Sequence, residues 1–126
     1  MNSLGLLYSQ IGEAELQKLS KNFYLEVTKI PELRKLYPEN LEAAERRIYL
    51  FLLQVVGGPS TYSEERGHPR LRMRHEPFHI ATPEHDAWLQ CMHAAVIDLD
   101  IAEELKEELW TYFQYAAHSM KNQPDN

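Results

Sequence analysis

Four stretches of this chain repeat apolar residues at intervals of three and four, and that spacing limits the fold more than any other feature. Leu16, Leu19, Phe23, Val27 and Ile30 make one stripe, and Leu41, Ala44, Ile48, Phe51 and Val55 a second. Trp88, Met92, Ala95 and Leu99 make a third; Leu105, Leu109, Tyr112, Phe113, Ala116 and Met120 make the fourth. Side chains so spaced lie along one face of a 3.6-residue helix. No stretch alternates with the period of two that a half-buried strand would show. The chain is read as all-α, one domain over residues 1–126, with four substantial helices and short connectors.

Gly and Pro punctuate the stripes. A helix is expected from Gly12 to about Ile30, with a short opening turn before it. Pro31 starts another turn, and Glu32 to Tyr37 reads as a single helical turn that Pro38 ends. Asn40 is placed to cap the second long helix, which Gly57-Gly58 closes. Thr82-Pro83-Glu84 combines a cap, an early proline and an acid favoured by the helix dipole. Asp100 with Glu103 has the form of a capping box for the last helix. Asn122 to Asn126 is polar, contains Pro124 and is expected to fray.

Between the second and third stripes lies GGPSTYSEERGHPRLRMRHEPF, residues 57–78. Its first part reads as a polar linker to His68-Pro69, and Arg70 to His75 reads as one or two helical turns. Pro77 stops them, since the residue before a proline is pushed toward extended geometry. Arg66, Arg70, Arg72 and Arg74 crowd around His75 in a chain whose net charge is −6. An imidazole beside guanidinium groups suits a metal cofactor that carries anionic groups. The competing reading is a short capped helix with solvated arginines and an exposed histidine. A zinc site pairing His75 with His79 is disfavoured, because Pro77 breaks the helix that would align both rings. His68, His79, His85, His93 and His118 read as surface or core histidines, not ligands.

The acidic balance argues against a nucleic-acid role. Cys91 is the only cysteine, so there is no internal disulfide and no Cys-based zinc site. The N-terminus lacks a basic region and a long apolar core, and the apolar run from Ile48 to Val56 is too short to span a bilayer. A cytoplasmic protein with no membrane partner is expected.

Residues R-x-R-H-x-P-F, ending at Phe78, follow G-G-P-x-x-Y and G-H-P. Phe23-Tyr24, Leu36-Tyr37-Pro38, Asp86-Ala87-Trp88-Leu89 and Cys91-Met92 flank them in order. Together these motifs, which run along nearly the whole chain, resemble the group II truncated haemoglobins. The resemblance implies a truncated globin fold: two antiparallel helix pairs stacked as a two-over-two sandwich around haem b. It implies that His75 is the proximal ligand of the haem iron. Tyr24, Tyr37 and Trp88 match the family positions that offer hydrogen-bond donors to a bound ligand, two phenols and one indole. Ala44, too small to donate, sits where many globins carry a histidine, and Ile48 and Phe51 would wall the pocket. Arg47, Tyr62, Arg72, Arg74 and Phe78 are the candidates for holding the cofactor, with Arg74 and Tyr62 foremost for its carboxylates.

The function so implied is binding of oxygen and other diatomic ligands, with slow release because donors in a dry pocket retain the ligand. The alternatives are nitric oxide dioxygenation or a peroxidase-type reaction, served by a reductase, and, from another class, a cofactor-free helical interaction module. A monomer or a homodimer is compatible with the sequence.

Overall fold

Two helices, one from each half of the chain, meet at the centre of the fold, and the other elements pack around them. A computed structural model describes residues 4–75, 78 and 80–122, the side chains of Leu71 and Arg72 excepted. The elements run α1 (Tyr8–Ile11), α2 (Glu13–Val27), α3 (Pro31–Arg34), α4 (Glu42–Val55), α5 (Thr61–Arg66), α6 (Leu71–His75), α7 (Thr82–Ile97) and α8 (Glu103–Met120), after a 3-10 turn at Leu4–Leu6. The described residues contain no strand. Helix α2 packs on α4, α7 packs on α8, and the two pairs meet through α2 and α7. This is the two-over-two sandwich expected above.

The α2 stripe is the best realised. Leu16, Leu19, Phe23 and Val27 are fully enclosed against α4 and α7. Enclosing a side chain of that size contributes roughly 1.5–3 kcal/mol. Helix α7 lies between α2 and α8, so Cys91, Met92, Ala95 and Val96 are buried around a broad arc and not along one stripe. Burial pushes the Cys91 thiol up to about 11, away from reactive thiolate character. In the α4 stripe only Ala44 is fully buried, whereas Leu41, Ile48, Phe51 and Val55 are partly buried; Leu52, Leu53 and Val56, outside the stripe, enter the core.

Several helix starts differ from expectation. The long helix opens at Thr82, but Ala81 is its cap: the Glu84 carboxylate accepts the Ala81 N–H at 2.8 Å. Asp100 does not cap α8, whose cap is Ala102; the Asp100 N–H instead donates to Glu15 at 2.6 Å. Asn40 does accept the Glu42 N–H at 2.9 Å, although Leu41 is the boundary residue of α4. The polar linker contains an unforeseen helix, α5. Gln54 holds it to α4, donating to the Ser63 hydroxyl at 2.8 Å and accepting the Ser63 N–H at 3.0 Å. Pro77, His79 and the tail beyond Asn122 lie outside the described residues.

Gly57-Gly58 does more than end α4. Gly57 has φ +95°, and a Cβ there would run into the Gly5 carbonyl. A Cβ on Gly58 would meet the Tyr8 ring. The N-terminal segment therefore crosses directly over the end of α4, where the Tyr8 N–H donates to the Val56 carbonyl at 2.8 Å. Among the described residues no helix is long and apolar enough to cross a membrane.

Candidate functional site

One face of α4 leads to the site. Ala44, Ile48, Phe51 and Leu52 line a cavity of about 360 Å³, Ala44 and Leu52 from within the packed core. Helices α2, α4, α5, α6, α7 and α8 all contribute to its walls, together with the segment after α3.

Three aromatic donors enter it. Tyr24 arrives from the last turn of α2, Tyr37 from the turn after α3 and Trp88 from the second turn of α7. Their rings belong to one edge-to-face cluster. Tyr24 and Tyr37 centroids are 5.3 Å apart at 89°, and Phe23 joins Tyr24 at 5.0 Å and Trp88 at 5.5 Å. Such pairs fix ring orientation beyond what area burial provides. Burial pushes both phenols well above the ordinary tyrosine range. The nearby Arg47 charge opposes the rise at Tyr24; at Tyr37 the Tyr24 hydroxyl adds to it and a hydrogen bond from Trp88 opposes it. Both hydroxyls are neutral donors at physiological pH. No buried side-chain nitrogen or oxygen among the described residues lacks a partner.

His75, the last residue of α6, lines the same cavity. The Phe78 ring stands 6.4 Å from its imidazole and also borders the cavity. A second imidazole, His85 in the first turn of α7, borders it as well, with Nδ1 2.9 Å from the Asp86 carboxylate. No group of three or more His, Cys, Asp or Glu side chains gathers among the described residues, so no protein-only metal cluster is formed there.

Cations mark the cavity's margin. Arg47 and Arg74 are half-buried and Arg66 is exposed, all three in its lining. Arg74 is committed to the loop before it. Its Nε donates to the Pro69 carbonyl at 2.7 Å, and its Nη2 donates to Arg66 at 2.5 Å and to His68 at 3.3 Å. Its guanidinium also lies 5.9 Å from the centre of the buried Tyr62 ring. Arg47 makes no hydrogen bond or ion pair within the described residues. The Arg72 side chain falls outside them. Arg46, the neighbour of Arg47, turns away to a two-point pair with Glu65 at 2.8 Å.

The structure thus brings together Tyr24, Tyr37, Ala44, Arg47, Ile48, Phe51, Tyr62, Arg74, His75, Phe78 and Trp88. The sequence reading missed the α8 wall, where Tyr112, Ala116, Ala117 and Met120 border the cavity. A signal existed in the Ala116-Ala117 pair, two small residues among large ones that leave room for something else. Burial pushes the Tyr112 phenol up to about 12. Apolar walls, an imidazole and cations at the margin suit an amphiphilic cofactor with an apolar body, an anionic edge and a metal centre.

Known proteins resemble the chain along nearly its whole length. Residues 6–122 match the bacterial-like globin family. The chain is 40% identical to the group 2 truncated haemoglobin YjbI of Bacillus subtilis over 118 residues, 94% of this chain and 89% of that one. The crystal structure of a thermostable haemoglobin from Thermobifida fusca superposes with a TM-score of 0.91 at 49% identity, covering 94% of this chain and 98% of that one. A truncated oxygen-avid haemoglobin from Bacillus subtilis superposes with a TM-score of 0.87 at 40% identity, covering 91% and 98%.

Proposed function

The chain belongs to the bacterial-like globin family, among its group II truncated haemoglobins, and from that premise we propose that it takes up oxygen in this cavity and releases it slowly. The family's cofactor is haem b, which when bound supplies an iron able to take a diatomic ligand. His75 holds the iron through a neutral imidazole nitrogen. Arg47, Arg74 and Tyr62 would meet the cofactor carboxylates, with Arg47, like Arg66, a cation whose side chain makes no hydrogen bond or ion pair among the described residues. Arg74 contributes mainly by bracing the loop from Arg66 to Pro69.

The observation that supports slow release is the convergence of Tyr24, Tyr37 and Trp88 on one cavity with apolar neighbours. Trp88 donates toward Tyr37, which leaves the Tyr37 proton available to the ligand. Ile48 and Phe51 keep water from competing for those donors. Two donors, each contributing about 1–3 kcal/mol as charge-assisted bonds, slow escape by roughly 30- to 10⁴-fold. The oxygen-avid Bacillus subtilis relative supports tight retention.

Absorption spectra of the ferric, ferrous and oxygenated protein test the reading, with two variants beside the wild type. His75→Ala is expected to lose tight haem retention, and His85→Ala to keep it. Retention lost from His85→Ala and kept by His75→Ala would assign the iron to the wrong imidazole here. A wild-type product that stays colourless with haem available would end the oxygen-binding reading altogether.

A further inference from the structure

His75 sits at the end of a helix of five residues, too short to hold its own shape. Its N-terminal side is strained: Arg70 has φ +44°. Its last carbonyls need partners from outside the helix. The His75 carbonyl accepts the Phe78 N–H at 3.0 Å and a second donor from the far end of the chain.

We propose that Asn122, two residues beyond α8, is a clasp that positions the segment carrying His75. The Asn122 side-chain amide donates to the His75 carbonyl at 3.1 Å and to the Phe78 carbonyl at 2.8 Å. Its Oδ1 accepts the Ile80 N–H at 3.0 Å. The Asn122 backbone N–H completes the contact by donating to the Ile80 carbonyl at 2.9 Å. One residue therefore holds three positions of the segment.

The chemistry selects asparagine. The segment presents two acceptors and one donor to this side chain, and a primary amide offers two donors and one acceptor. Aspartate would accept the Ile80 N–H but would set a carboxylate against two carbonyl oxygens. Glutamine carries the same groups one methylene too far out. Alanine supplies none of them. The orientation of the amide follows from the network, since only Oδ1 can accept from Ile80.

The clasp ties the segment to the rigid part of the molecule. Met120 ends α8 and is buried, as is Ile80, whose N–H and carbonyl both bond Asn122. The short helix is thus fixed by the longest one, and the carbonyl of the ligand residue is itself one of the fixed points. Asn122 acts through His75 as a positioning residue, and this inference rests on the reading of His75 as the iron ligand.

The test uses the full-length, haem-loaded protein with Asn122→Ala and Asn122→Asp. The iron–histidine stretching band of the ferrous form, read by resonance Raman, should shift and broaden in both. Transfer of haem to excess apomyoglobin should run about 10- to 100-fold faster, the usual range for a lost outer-shell partner. Leu109→Ala, a core truncation remote from the clasp, should leave the band in place. An unchanged band in both Asn122 variants, with the band lost in His75→Ala, overturns the clasp alone. A band that survives His75→Ala overturns the ligand assignment and the clasp with it. Hydrogen exchange on the wild type reads the contact without any variant. A slowed Ile80 amide supports the clasp, and exchange at the rate of a free amide overturns it.

Discussion

Tyr24 and Tyr37, thirteen residues apart in sequence, meet ring edge to ring face with centroids 5.3 Å apart. One comes from a long helix and the other from a turn, so each ring limits where the other points. The pair turns two separate phenols into a single donor surface, with the Trp88 indole near enough to act on Tyr37.

That arrangement predicts unequal and coupled effects on ligand release. Tyr24→Phe and Trp88→Phe should each speed oxygen dissociation, by about 5- to 150-fold for a donor of 1–3 kcal/mol. Trp88→Phe combined with Tyr37→Phe should cost less than the sum of the two singles, because the indole acts partly by orienting that phenol. Stopped-flow displacement of oxygen by carbon monoxide measures all four rates. Strict additivity would mean that Trp88 acts on its own.

Alkaline pH should destabilise the fold through these same groups. Tyr24, Tyr37 and Tyr112 are held by burial above the ordinary phenol pKa of about 10. Above that pH the unfolded chain loses protons that the folded chain keeps, so unfolding becomes progressively more favourable. The full contribution is present below pH ~10 and is lost as pH rises through the folded values. Each such tyrosine should cost about 1.4 kcal/mol per pH unit in that window. Urea unfolding from pH 8 to 11 should show the decline, and Tyr112→Phe should make it shallower. A Tyr112→Phe profile parallel to the wild type would contradict the burial of that phenol.

Gly57→Ala should destabilise the protein by more than the usual helix-end glycine. The residue has φ +95°, and the added methyl collides with the Gly5 carbonyl. The strain alone should cost about 1–3 kcal/mol. Equilibrium unfolding would reveal it; wild-type stability would mean that the N-terminal segment moves aside freely.

Leu109→Ala removes a completely enclosed side chain between α8 and α7. A loss of about 2–5 kcal/mol is expected. Thermal and urea midpoints should both fall, and a cost under 1 kcal/mol would mean the surroundings collapse to fill the space.

Local patterning made much of this architecture legible. Leu16, Leu19, Phe23 and Val27 repeat with helical spacing and are buried in that order, because one face of a helix is a purely local property. Helix α5 was not legible: in TYSEER only Tyr62 is buried, and a single aromatic has no period. Its place is decided by Gln54, nine residues away.

The sequence by itself determined that the chain is helical, where most helices break, and which imidazole lies between an arginine cluster and a proline. It also carried the family motifs in order. Its apolar spacing could not separate the α4 residues that face the cavity from those that face the core, since both sets are apolar and lie on neighbouring arcs of one helix; only the family motifs pointed to Ala44, Ile48 and Phe51. Nor could it say that Ala116 and Met120 close that cavity, or that Asn122 reaches back to the His75 carbonyl. Those are contacts between residues dozens of positions apart, and only the stacking of one helix pair on the other brings them within reach.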